Sequence, residues 1–166
     1  MTLGMSLPVF TAFHVALSLI GIGSGLIVLL GLIANRLYPL LTGLFLLTTV
    51  ATSVTGFLFP FHGITPGIKL GILSLVALAV AVAALYLFHL SGHWRGIFAS
   101  SASIALYFNV FVFIVQSFEK VPALHALAPT NSEPPFKIAQ LVALLAFIVL
   151  TIFAVKNFRG PAAKAA

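Results

Sequence analysis

Residues 68–90 read IKLGILSLVALAVAVAALYLFHL. The run holds one charge, Lys69, and one further polar ring, His89, each close to an end. As an α-helix it spans roughly 34 Å at 1.5 Å per residue, enough to cross a hydrocarbon core of ~30 Å. It cannot be a strand of a lipid-facing barrel, because apolar and polar residues do not alternate along it. Four further runs behave alike, at 9–33, 40–59, 97–117 and 138–155. Each is about as long as the membrane requires. The chain is therefore predicted to be all-α: one integral membrane domain over residues 1–166, built as a bundle of five transmembrane helices.

Composition points the same way. Apolar residues make up 61% of the 166, charged residues 6%, and the mean hydropathy is +1.23. A soluble domain carries about 25% charged residues. At 6% no ordinary water-facing surface can be built, so the lipid bilayer is the expected solvent. The flank 1–8 has no side-chain charge and no small-x-small cleavage site follows the first run. That run is expected to be a first span rather than a signal peptide.

The net charge of +6 is not a nucleic-acid footprint. The eight Lys and Arg are scattered singly, with no basic run and no interleaved aromatic patch. No nucleic-acid partner is expected. There is no cysteine. That removes disulfides, thiolate metal sites, Fe–S clusters and covalently attached c-type haem. Met1 and Met5 are the two thioethers, too few for a Met-rich copper site.

The basic residues serve better as topology signals. Five spans place Arg36, Arg95, Lys156, Arg159 and Lys164 on one side, with Tyr38 and Trp94 near them. The other side receives Lys69, Lys120 and Lys137 with both acids, Glu119 and Glu133. Positive charge collects in the cytoplasm. The expected orientation has the C-terminus cytoplasmic and the N-terminus outside. The connection 119–136 then lies outside. Within it, 121–128 is apolar but too short to span, and reads as a turn of helix lying over the bundle end. Ser132-Glu133-Pro134-Pro135 reads as a helix start, since proline suits a first turn and an acid suits the positive helix end.

Small residues fall at helical spacing. His14, Ser18, Gly21 and Gly25 share a face, and Gly21-x-x-x-Gly25 is a close-approach motif for helix packing. Thr48, Thr52 and Thr55 share another, as do Ser74, Ala77, Ala81 and Ala84, and Ala102, Ala105, Asn109 and Gln116. The amides Asn109 and Gln116 are expected inside the membrane, where an amide must find partners. They act either as glue between helices or as part of a site.

Candidate chemistry gathers on the outer side. His14, His62, His125 and Glu119 come from separate segments and could share a transition metal. Two opposed imidazoles could instead ligate haem b. His89 and His93 are better read as headgroup contacts beside Trp94 and Arg95. No nucleophile-and-base pair, paired intramembrane carboxylates or phosphate loop is present, and there is no Asp. An enzyme is not the expectation.

Three strings stand out together. They are TTVATSVTGFLFP at 48–60, LYFNVFV at 106–112, and APT with SEPPF at 128–130 and 132–136. They resemble a family of small, functionally uncharacterised bacterial multi-pass membrane proteins. The resemblance covers most of the chain and implies a bacterial inner-membrane setting without a transferable function. The expected role is that of a non-catalytic accessory or stabilising subunit, packed against other membrane proteins or itself. A redox, metal- or haem-binding protein using the outer histidines is the alternative. A small-solute channel or carrier along the threonine stripe is a weaker one.

Overall fold

The computed structural model describes residues 4–60 and 66–159. Among them the elements are helices, with no strand. They run α1 (Leu7–Ile33), α2 (Pro39–Gly56), α3 (Pro66–Val82), α4 (Trp94–Lys120), a short α5 (Pro122–Leu127) and α6 (Pro134–Asn157). A π-helical turn, Ala83–Leu87, prolongs α3. Five helices among the described residues are long and apolar enough to cross a membrane: α1, α2, α3 with its π turn, α4 and α6.

Proline sets several helix starts. Pro8, Pro39 and the pair Pro134-Pro135 occupy first turns, where a missing N–H costs nothing. Glu133 sits at the N-cap of α6 but makes no capping bond to the helix. An N-cap oxygen ordinarily reaches the N–H of the second or third helical residue. Pro135, in the second place, has none. The carboxylate turns back instead and accepts from the Thr130 hydroxyl (2.8 Å), the Thr130 N–H (3.2 Å) and the Ser132 N–H (3.0 Å). It therefore closes the turn before α6.

The bundle forms a ring, α1–α2–α3–α4–α6 and back to α1, with α4 also crossing to α1 and α2. Sequence explains why α4 is the hub. Ala99, Ala102, Ala105 and Ser103 are all buried on it, and their small side chains let neighbouring backbones approach. The larger core residues fill the gaps between them: Phe45, Phe98, Leu32, Leu78 and Leu106. By contrast α6 fully buries only Phe147 and Ala154, with Gln140, Leu150 and Thr151 half-buried and most of the remainder exposed.

One end of the bundle is tied by polar bonds from loop to loop. Asn157 Nδ2 donates to the Ile33 carbonyl (3.1 Å), and the Arg159 N–H donates to Asn35 Oδ1 (2.8 Å). Arg95 Nη1 donates to the Arg159 carbonyl. These bonds place the C-terminal ends of α1 and α6 beside the N-terminal end of α4.

The third span ends earlier than its hydropathy predicts. The apolar run continues to Leu90, but the helix stops with the π turn at Leu87. His89, Leu90 and Gly92 then take left-handed φ values of 47°, 56° and 52°. Reversing the chain there turns Leu90 into the core, where it is buried, and leaves Phe88 stacked on Trp94 at 3.7 Å. Burial of one leucine and one aromatic pair outweighs continuation of the helix.

Candidate functional site

Most hydroxyls in the bundle are committed to their own helices. Thr48 donates to the Leu44 carbonyl (2.7 Å), Thr55 to Ala51 (2.7 Å), Ser24 to Ile20 (2.6 Å) and Ser103 to Ala99 (2.7 Å). In hydrocarbon this is the nearest acceptor available to a Ser or Thr. It leaves the hydroxyl oxygen able only to accept, which fixes what can approach it.

At Thr55 that partner is His14. Its Nδ1 lies 2.8 Å from Thr55 Oγ1. With the Thr55 hydrogen turned to the Ala51 carbonyl, the tautomer that fits donates from Nδ1. The neutral ring then carries its lone pair on Nε2. Phe59 meets the imidazole edge-on, ring centres 5.1 Å apart. A hydroxyl and an aromatic ring thus hold His14 in a fixed orientation between α1 and the end of α2.

One and two turns deeper, α1, α2 and α4 converge on Gly21. Ser18 donates to Asn109 Oδ1 at 2.8 Å, joining α1 to α4. A Cβ on Gly21 would stand 3.0 Å from Thr49 Oγ1 and 3.2 Å from both Asn109 Nδ2 and Thr48 Oγ1. The absent side chain lets three polar groups close on one point. Asn109 and Thr49 are buried, yet Asn109 Nδ2 and Thr49 Oγ1 have no hydrogen-bond partner. Thr52 Oγ1 and Thr42 Oγ1 share that condition. The result is a polar seam running from His14 to Gly21 between three helices.

The seam stops at the next turn. A Cβ on Gly25 would lie 2.7 Å from both Leu106 Cδ1 and the Phe45 ring. The void lined by Gly25, Val28, Leu29, Leu32, Phe45, Ala102, Ser103 and Leu106 has no room for a water molecule.

The other expected residues fall elsewhere. Gln116, read as glue between helices or as part of a site, donates from Nε2 to Glu119 Oε2 (3.1 Å) on its own helix. It lies one turn from the end of α4 and is exposed, so the helix terminus supplies its partner. The opposite oxygen of Glu119 accepts from Asn131 Nδ2 (3.3 Å), linking α4 to the turn before α6. His125 is exposed on α5. His62 lies outside the described residues. Among the described residues no three His, Asp or Glu side chains are grouped to hold a metal. Gln140 donates to the Phe111 carbonyl (3.2 Å), a tie between α6 and α4.

Glu133 shows the clearest electrostatic effect outside the membrane spans. Partial desolvation pushes its carboxyl up. The hydrogen bonds from the Thr130 hydroxyl and from backbone N–H groups outweigh that and hold it below its ordinary value.

Sequence reasoning missed Thr49. A signal existed: Thr42 and Thr49 stand seven apart, two helical turns, and so share a face with Phe45 between them. Compared with known proteins, the chain matches no family model, no curated protein and no solved structure. Fold and seam together define its class as an all-α bundle with five helices suited to span a membrane.

Proposed function

We propose that this chain is a non-catalytic subunit of a bacterial inner membrane that works through its outer surface, by packing against other membrane helices or a second copy of itself. The observation that carries the reading is the closure at Gly25. A carrier or channel needs polar groups that continue across the bundle, and here the polar seam runs into Leu106 and Phe45 with no space for water. The seam's own bonds join helices: His14 to Thr55 and Ser18 to Asn109. What remains for function is the apolar exterior. Leu141, Val142, Leu145, Ile148, Val149 and Ile152 all face outward on α6, the least buried of the five long apolar helices. The resemblance drawn from the sequence supports the inner-membrane setting, and the distribution of Lys and Arg supports a cytoplasmic C-terminus.

The test is the mass of the protein extracted in mild detergent. The chain alone weighs 17.5 kDa. A discrete larger assembly is expected by native mass spectrometry. A monomer alone, together with solute flux into vesicles reconstituted with it, would overturn the reading in favour of transport. A reporter fused after residue 159 is expected to be active only in its cytoplasmic form.

A further inference from the structure

A groove of about 510 Å³ runs along the outside of the bundle between α3, α4 and α6. Ala77 and Val80 of α3 form one wall, Val155 of α6 the other, and Gly96, Ser100 and Ile104 of α4 the floor. Open space remains beside Gly96: a Cβ there would make only ordinary contact with Val155, at 3.6 Å. The volume falls among those of ligand clefts, roughly 300–1,000 Å³. We propose that this groove seats one acyl chain of an anionic phospholipid, with Arg95 at its mouth binding the phosphate.

Three observations support that occupant. The first is length. From His93 at the mouth to Ile104 the floor covers eleven residue steps, roughly 16 Å at 1.5 Å per residue. That is about half of a ~30 Å hydrocarbon core, the depth of one leaflet. A transmembrane helix of a partner would need a seat of about twice that length.

The second is charge. The mouth opens at the bundle end that carries Arg36, Arg95, Lys156 and Arg159. Both acids, Glu119 and Glu133, sit at the opposite end, at the close of α4 and the start of α6. A phosphate at the mouth therefore meets cations with no carboxylate competing for them among the described residues. The third is donor supply. Arg95 spends Nε on the Gly92 carbonyl (3.2 Å) and Nη1 on the Arg159 carbonyl. Those bonds hold the guanidinium at the bundle end where His93 and Gly96 line the groove. A guanidinium has five N–H donors, so others remain for a phosphate oxygen. The proposal does not depend on the subunit reading, which is argued from Leu141 to Ile152 of α6, none of which lines this groove.

The experiment compares lipids with matched chains. Purified protein is incubated with vesicles of phosphatidylglycerol or of phosphatidylcholine, and retained lipid is read by native mass spectrometry. About tenfold more phosphatidylglycerol than phosphatidylcholine should stay bound. Arg95→Gln should bring the two to the same level, while Arg95→Lys keeps most of the preference. Ser100→Phe fills the floor and should abolish retention of both lipids at unchanged helix content. Equal retention of the two lipids by the unaltered protein would overturn the proposal. So would retention that survives Ser100→Phe, or a Ser100→Phe variant whose only change is a smaller assembly, which would make the groove a seat for a helix.

Discussion

Gly21 and Gly25 stand one turn apart on the same face of α1, and neighbouring helices come to 3.0 Å of a Cβ built on the first and 2.7 Å of one built on the second. Around Gly21 the neighbours are two threonine hydroxyls and an amide; around Gly25 they are a leucine and a phenylalanine ring. Lipid is as apolar as leucine, so burying side chains between these helices gains little in itself. Close van der Waals approach and interhelical hydrogen bonds supply the association. The first glycine serves the hydrogen bonds and the second serves the close packing. The difference also divides tolerance. A methyl group at Gly21 would meet its neighbours at 3.0–3.2 Å, where a few tenths of an ångström of give suffices, whereas at Gly25 it would meet Leu106 and Phe45 at 2.7 Å, where a side chain must shift.

The contrast can be broken most severely at Gly25. Gly25→Leu should cost about 3 kcal/mol, the upper range for overpacking a filled core, measured by unfolding in mixed micelles. A cost under ~1 kcal/mol would show that α1 can slide off α2 and α4. Next comes Asn109→Ala, which removes the bond to Ser18 and leaves a gap. About 1–2 kcal/mol is expected, given interhelical bonds averaging ~0.6 with a maximum of ~1.7 and a cavity term. Gly21→Ala should cost about 1 kcal/mol, since the smaller methyl meets its neighbours at 3.0–3.2 Å and needs only a small displacement of them.

Thr49→Val sharpens the comparison in the other direction. A buried hydroxyl without a partner contributes nothing and is costly to desolvate, so its removal should change stability by no more than ~0.5 kcal/mol, or raise it. A loss above ~1 kcal/mol would mean that Thr49 and Asn109 bond each other. The smallest effect belongs to Glu133, outside the packed region. Its folded carboxyl is held below the ordinary value of 4.5. The stability it adds is therefore present above 4.5 and is lost as the pH falls through the lowered folded value. Glu133→Gln should flatten that part of the pH dependence, with a small loss of stability at neutral pH that disappears once the pH is below the lowered folded value.

The five spans were legible because membrane thickness fixes helix length and lipid forbids unpaired backbone. The close-approach role of Gly21 and Gly25 was legible from their four-residue spacing. The end of the third span was not. Its hydropathy continues through Leu90, and only tertiary burial of that leucine shows why the helix stops early. The polar seam was half legible: His14, Ser18 and Asn109 could be placed on faces, but not matched to partners. Which hydroxyl accepts from which donor depends on the rotation of α2 against α1, and the hydroxyls of α2, at 42, 48, 49, 52, 53 and 55, spread over too wide an arc to record it. Gln116 misled for a related reason. Its spacing continues the stripe of Asn109, while its depth, near the end of α4, decides its partner.

The closure at Gly25 has an electrical consequence. An ion crossing a membrane held at 100 mV gains about 2.3 kcal/mol per charge. Stripping its hydration to enter a medium of low polarizability costs tens. Where α1, α2 and α4 meet at Phe45 and Leu106, no column of water can offset that cost. At this level the core of the bundle is an insulator, and a cell could make the protein in quantity without discharging its membrane through that path.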